Sequence, residues 1–321
     1  MIPAKNALPF LRDCLQSILK QRYSNWEVLV VDDHSSDNTL RVLHEFALQD
    51  DRINVFQNQG AGIIAALNLA YAHSNGTYLT RMDADDLMPE GKLDLLHQAL
   101  QENGQGFVST GFVKYFSEDQ LGQGYLNYEH WLNELTSNAS NFTEIYKECV
   151  IPSPCWMMHR SDFEKIGAFR SEIYPEDYDL CFRMYQGRLK IAPVKEVCHY
   201  WRDHFSRATR NDENYADNNF LLLKITKFLE IELKKDKKLV LWGAGSKGKW
   251  LAQFFVENQI AFQWMCDNPK KIGKEIYGQV IQDSKGDHFN SMNQYLVAVA
   301  NKESLLEIKQ SLIHQEAFYF A

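Results

Sequence analysis

The chain has 321 residues, of which 45% are hydrophobic and 24% charged, with a formal net charge of −8; this is the balance of a globular protein long enough for two domains with substantial cores. An acidic balance argues against a general nucleic-acid binder, whose affinity comes from Lys and Arg on phosphates, and no run of 18 apolar residues or signal-peptide pattern appears, so a cytoplasmic protein is expected. The six cysteines are scattered without a C-x-x-C pair and read as reduced and structural; Cys198 beside His199 lacks a second ligand pair.

In chain order, Leu8, Phe10, Leu11, Cys14, Leu15, Ile18 and Leu19 recur at helical spacing and predict a core-facing helix. Val28 to Val31 is a buried strand that ends in Asp32 and Asp33, at the carboxyl edge where open α/β sheets bind ligands. Ser36 and Asp37 then cap a helix with Leu40, Leu43, Phe46 and Ala47 on one face, and capping is the competing explanation for the two aspartates. Ile53 to Phe56 makes a third strand, followed by a turn whose Gly60 and Gly62 allow close backbone approach to a ligand.

The stretch "TYLTRMDADDLMP" carries the strongest chemistry. Tyr78, Leu79 and Met82 read as a short buried strand running into Asp83, Asp85 and Asp86, with Pro89 opening a helix to about Gln101. Asp83 and Asp85 are two apart at a strand end, so both carboxylates can point the same way. Held roughly 4 to 5 Å apart they repel by about 3 to 4 kcal/mol at an effective dielectric near 20. A cation between them is therefore expected, and hard oxygen donors favour Mg²⁺ or Mn²⁺ over zinc. The alternative is an acidic turn capping the next helix.

Phe107 to Phe116 alternates as a strand with Val108, Thr110, Phe112 and Lys114 on one face. The aromatic-rich segment from Leu121 to Val150 either packs beneath a helical insertion or lines a groove for a ligand that stacks on aromatic faces. In "YPEDYDLCFRMY", Pro175 and Glu176 begin a helix and set Asp177 in its first turn, near the positive end of the dipole. "VCHYWRDHFSRATR" gathers His199, Arg202, His204, Arg207 and Arg210, which bind anions or a metal. A helix from about Asn214 to Leu233 leads to "KKDKK", a solvated linker that is also capable of weak contact with a membrane surface. Beyond it a strand, Gly243-x-Gly245-x-x-Gly248, a helix, and Asp267 after the next strand reproduce the dinucleotide-binding arrangement, with too few residues left for a full dinucleotide fold.

Together, "PAKNALPFLRDCLQSILKQRYSNWEVLVVDDHSSDNT", "NQGAGIIAALNLAYAHSNGTYLTRMDADD" and "PEDYDLCFRMY" resemble family 2 glycosyltransferases of the nucleotide-diphospho-sugar (GT-A) fold, over about residues 1 to 210. The resemblance implies an α/β fold: a mixed, mainly parallel sheet flanked by helices in residues 1–233, followed by a small Rossmann-like α/β domain in 234–321. It implies metal-dependent, inverting transfer of a sugar from a nucleotide-diphospho-sugar, UDP-linked by preference, to the hydroxyl of a glycan or lipid-linked glycan in surface-polysaccharide synthesis, in the cytoplasm or at the inner face of the membrane. Residue by residue, Pro3, Ala4 and Asn6 would form part of the base pocket, Asp32 would accept from the base with Asp33 beside it, and Gly60, Asn68 and Arg202 would face the diphosphate. Asp83 and Asp85, with His199 or His204, would hold Mn²⁺ or Mg²⁺. Asp177 would be the base, with Glu176 orienting it or binding acceptor.

Two departures stand out. Lys5 stands where many relatives carry an aromatic residue, and only Met1 and Ile2 precede Pro3 where relatives have a whole apolar strand, so most of a central strand is expected to be missing. Two rival readings are an NAD- or S-adenosylmethionine-dependent enzyme using the glycine loop, and a non-catalytic sugar-nucleotide sensor.

Overall fold

A computed structural model describes residues 1–118, 120–169, 173–205, 207, 217–285 and 290–320, apart from the side chains of 217–219. The chain divides into two compact units, the first made of Met1–Ile145 and Cys149–Asn219, the second of Tyr146–Glu148 and Phe220–Ala321.

The first unit begins with β1 (Ile2–Ala4), α1 (Leu8–Leu19), β2 (Val28–Asp32), α2 (Thr39–Ala47), β3 (Ile53–Gln57), α3 (Ile63–His73) and β4 (Tyr78–Thr80). It continues with α4 (Lys92–Asn103), β5 (Phe107–Phe116), α5 (Gln123–Ser137), β6 (Met157–His159), α6 (Arg160–Lys165), α7 (Glu176–Gln186) and β7 (Lys190–Arg202). Strands β1, β2 and β3 pair in parallel in that order, and β4-β6-β5-β7 form a second ladder in which only β6 runs antiparallel to its neighbours. Met1 joins the two: its amine donates to the Thr80 carbonyl at 3.0 Å and its carbonyl accepts from Met82 N at 3.0 Å, which is a parallel bridge. The result is the mixed, mainly parallel sheet flanked by helices that the resemblance implies. As the helical spacing predicts, α1 buries Leu11, Cys14, Leu15 and Ile18, in one core with Val30, Val42, Leu43, Phe46 and Leu96.

β1 has three residues, and its ladder with β2 starts at Ile2 opposite Val30. Val28 and Leu29 pair with β3 on one side. Both also line a cavity of about 630 Å³, together with Tyr78 to Thr80, Met1, Trp26 and Met157. The Trp26 indole nitrogen is buried without a hydrogen-bond partner among the described residues, and burial pushes the Met1 amine down to about 5.

One local expectation is revised. Helix α4 starts at Lys92, because Pro89 opens a turn whose carbonyl accepts from Lys92 N at 3.0 Å. In β5 the register with β7 shifts at Gly111 and Phe112, where a Cβ on Gly111 would lie 2.3 Å from Cys198 Sγ. The extra residues lie on β7, so β5 keeps its alternation: Ser109, Gly111, Val113 and Tyr115 are buried on one face, while the face of Val108, Thr110, Phe112 and Lys114 passes from buried to exposed along the strand. Helix α5 repairs the interrupted edge: Asn133 exchanges two bonds of 2.9 Å with the Val113 main chain, and Glu129 accepts from Tyr115 N at 2.6 Å.

The second unit takes in α8 (Asp217–Ile231) from Phe220 onward, so the division falls before the boundary read at 233. The reason is packing, since Phe228 is fully buried against Phe318 and Phe320. Then come β8 (Lys238–Trp242), α9 (Ser246–Glu257), β9 (Gln263–Cys266), the hairpin β10 (Glu275–Ile276) and β11 (Gln279–Val280), β12 (Gln282–Asp283), β13 (Asn293–Val297), α10 (Lys302–Ser311) and β14 (Glu316–Tyr319). Five strands pair in parallel in the order β12-β9-β8-β13-β14. Lys234 and Lys237 of the basic linker both pair with Glu316.

Candidate active site

The carboxyl ends of β1 and β2 lie side by side, which brings two turns together. In the first, Asn6 takes a left-handed conformation (φ 49°). Its side-chain oxygen accepts from Ser36 N at 2.8 Å, and its own amide donates to Ser35 Oγ at 2.9 Å. The Ala4 carbonyl accepts from Asp33 N at 2.7 Å, and Pro3 sits opposite Val31. Asp32 is 3% exposed, and one of its oxygens accepts from Ser35 N at 3.2 Å. Its other oxygen is buried with no donor among the described residues. Leaving such an acceptor empty costs about 1 to 3 kcal/mol, so this oxygen retains the capacity to accept one further N–H.

Asp33 has a different task. It accepts from Asn58 Nδ2 at 2.6 Å and from Gly62 N at 3.0 Å, and Lys5 reaches it at 3.4 Å. This carboxylate clasps the glycine turn closed. The Gly60 carbonyl is held by His34 Nε2 at 2.7 Å, Gly62 (φ 86°) precedes α3, and Asn68 is half-buried on that helix.

The second group of residues surrounds Arg81, which follows β4 and is 4% exposed. Its Nε donates to Asp83 Oδ1 at 2.9 Å, and its Nη1 donates to Glu176 Oε1 at 2.9 Å. Ser153 Oγ donates to the other Asp83 oxygen at 3.4 Å. Arg81, Ser153, Glu176 and Asp177 line one cavity of about 10 Å³. Burial raises the pKa of Asp83, with Asp85 and Glu176 adding to the rise and Arg81 opposing it. Burial likewise pushes Asp177 up to about 7, reinforced by Glu176 and Asp83 and opposed by Arg81. Asp177 thus feels both motifs.

The third group ties β7 to the acidic turn. His204 Nε2 lies 2.8 Å from Asp85 Oδ2. Burial acts to raise Asp85, but the His204 bond and charge outweigh it and hold its carboxyl below the usual range. Arg202 donates through Nε to the Asp85 carbonyl at 2.8 Å and through its amide to Asp86 Oδ1 at 2.7 Å. His199 is fully buried, with Nε2 2.9 Å from Asp86 Oδ2. Burial drives its pKa well below the ordinary value and that of Asp86 well above. Of the two histidines considered as ligands, His204 is therefore the one beside the D-x-D pair. His199 is turned toward Asp86.

Among the described residues, no three His, Cys, Asp or Glu side chains converge as a ready metal cage. The donor types nevertheless suit a hard divalent ion: the carboxylates of Asp83 and Asp85, the second of which helps to raise the pKa of the first, and the His204 imidazole 2.8 Å from Asp85. Arg81 and Ser153 escaped the sequence reading; the signal for Arg81 was its place two residues before Asp83, on the same face of an extended segment. Arg210 lies outside the described residues.

In the second unit, a Cβ on Gly248 would lie 2.1 Å from the Gly243 carbonyl oxygen, so the glycine pattern serves strand–helix contact. Asp267 accepts from Trp242 Nε1 at 3.0 Å on one oxygen and from Ser284 Oγ on the other.

The sequence signature of glycosyl transferase family 2 matches residues 1–167, more than half of the 321 residues. The chain belongs to this family. Glu176 and Asp177 of this family 2 glycosyltransferase chain lie beyond the matched span. Among relatives, the Escherichia coli protein UDP-Glc:alpha-D-GlcNAc-diphosphoundecaprenol beta-1,3-glucosyltransferase WfgD is 36% identical over 140 residues, 43% of this chain and 54% of that one. Glycosyltransferase GlyG of Streptococcus pneumoniae is 33% identical over 120 residues, 37% of this chain and 40% of that one. The chain thus spans about half or less of the length of these relatives. S. aureus TarS 1–349, solved in complex with UDP-GlcNAc, shares the fold with a TM-score of 0.55 at 17% identity, covering 80% of this chain and 71% of that one. Mannosyltransferase PcManGT from Pyrobaculum calidifontis, solved with GDP-Man and Mn²⁺, gives 0.51 at 17% identity over 71% and 62%.

Proposed function

We propose that this protein is a metal-dependent, inverting glycosyltransferase that moves a sugar from a UDP-linked donor to a hydroxyl of a glycan or lipid-linked glycan. The observation that carries this reading is the Arg81 bridge, which joins the acidic turn after β4 to the first turn of α7 and so holds a donor-side and an acceptor-side carboxylate on one wall. WfgD names a UDP-sugar and a diphosphoundecaprenol acceptor, and TarS is solved with UDP-GlcNAc, which supports the choice of donor and acceptor class.

Asp177 takes the proton of the acceptor hydroxyl as that oxygen attacks the anomeric carbon, and the bond to the nucleotide diphosphate breaks on the opposite face. A carboxyl group pushed up to about 7 is matched to that task. Asp32 receives an N–H of the base on its unpartnered oxygen, and the Pro3–Asn6 turn, Gly60, Asn68 and Arg202 border the donor. Mn²⁺ or Mg²⁺, held by Asp83, Asp85 and His204, would neutralise charge on the departing diphosphate. Glu176 orients Asp177 while paired to Arg81. No helix among the described residues is long and apolar enough to cross a membrane; the same proposal places the work in the cytoplasm or at the inner face of the membrane, in peripheral contact with it.

Thermal shift tests the reading. UDP with Mn²⁺ is expected to raise the melting temperature, by about 2.7 kcal/mol of stabilisation at 100 times Kd. Stabilisation only by NAD or S-adenosylmethionine would refute it, as would UDP-sugar turnover that survives Asp83→Ala.

A further inference from the structure

The inference concerns Arg81 and rests on the reading just given. Its side chain is 5% exposed, as is that of Glu176, and the two partners it joins are 93 residues apart. A guanidinium this deep is retained only where its charge and its fork are both used. Here one edge meets Asp83, whose second oxygen is met by Ser153, and another nitrogen meets Glu176 in the first turn of α7. Asp177 follows directly, with one carboxylate oxygen accepting from Tyr178 N at 2.8 Å. Nothing else in the described residues links the acidic turn after β4 to this end of α7 through paired charges.

We propose that Arg81 is a positioning residue: it touches neither donor nor acceptor, but sets the spacing between the donor-side carboxylate Asp83 and the Glu176–Asp177 pair that receives the acceptor. Two substrates must meet within about 3 to 3.5 Å and in line for transfer, and displacements near 1 Å cost about 100-fold. Water, small and abundant, is far less demanding of that spacing. Loss of the bridge should therefore penalise transfer to the acceptor more than hydrolysis of the donor.

The experiment compares UDP-sugar hydrolysis with transfer to an acceptor sugar in wild type, Arg81→Lys, Glu176→Gln and the double variant, with melting temperature as the control for folding. Arg81→Lys keeps the charge but cannot span both carboxylates, and Glu176→Gln keeps Arg81 while weakening one arm. Each single variant is expected to lower the transfer-to-hydrolysis ratio at least 10-fold, and the double variant is expected to be no worse than the poorer single one. Transfer and hydrolysis falling in equal proportion, or single effects that multiply in the double variant, would overturn the proposal by showing support of the fold only. A wild type that turns over no nucleotide sugar would instead overturn the underlying reading, and this inference with it.

Discussion

His204 Nε2 lies 2.8 Å from Asp85 Oδ2, across 119 residues of sequence, whereas His199, five residues earlier, reaches Asp86 at 2.9 Å from a fully buried position. The two histidines should therefore fail in different ways. His204→Ala is expected to lower transfer by about 10- to 100-fold and to raise the Mn²⁺ needed for half activity, with little change in melting temperature. His199→Ala leaves Asp86 without that partner and should cost about 1 to 3 kcal/mol of stability. Denaturant titrations and metal-dependent rates on both variants check this; equal loss of stability in the two would contradict it.

Asp177 links activity and stability with opposite signs. Its carboxyl titrates near 7 in the fold against an ordinary 3.8, so the folded state holds the proton more tightly. That contribution to stability is complete below about pH 4 and disappears as pH rises through about 7. The base needed for catalysis appears over the same range. The rate should climb with pH to a plateau above 7, and Asp177→Asn should lose about 100- to 10,000-fold in rate. The Asn variant should also melt higher than wild type at pH 8, with the gap closing toward pH 4. A gap that widens on acidification would reverse the assigned shift.

Gly248 should not tolerate a methyl group. A Cβ there meets the Gly243 carbonyl oxygen at 2.1 Å, so Gly248→Ala should cost about 1 to 3 kcal/mol or more. Faster amide exchange along β8 and β9 would locate the damage. Because Asp267 is held by Trp242 and Ser284, wild type is expected to show no thermal shift with NAD.

The parts of the fold legible in the sequence were those governed by local patterns. The α1 periodicity, the run into Asp32 and the alternation of strands and helices follow from side-chain spacing along one segment. The parts that were not legible depended on what lies opposite. The register of β5 against β7 shifts at Gly111, where a Cβ would meet Cys198 Sγ. Asp32 and Asp33 look equivalent in sequence, yet one keeps a buried oxygen with no donor among the described residues while the other clasps Asn58 and Gly62. Burial and the position of the next loop separate them, and neither is written in adjacent residues.

By itself, the sequence determined the family, the α/β architecture and the cluster of carboxylates at the end of the fourth strand, because each of these is set by residue type and short-range spacing. Only the tertiary structure decided which histidine stands beside Asp85, that Arg81 reaches both Asp83 and Glu176, and where the two units part. Those outcomes depend on which distant side chains share a buried space, where the cost of leaving a charge or a polar atom without a partner selects among arrangements that are equal along the chain.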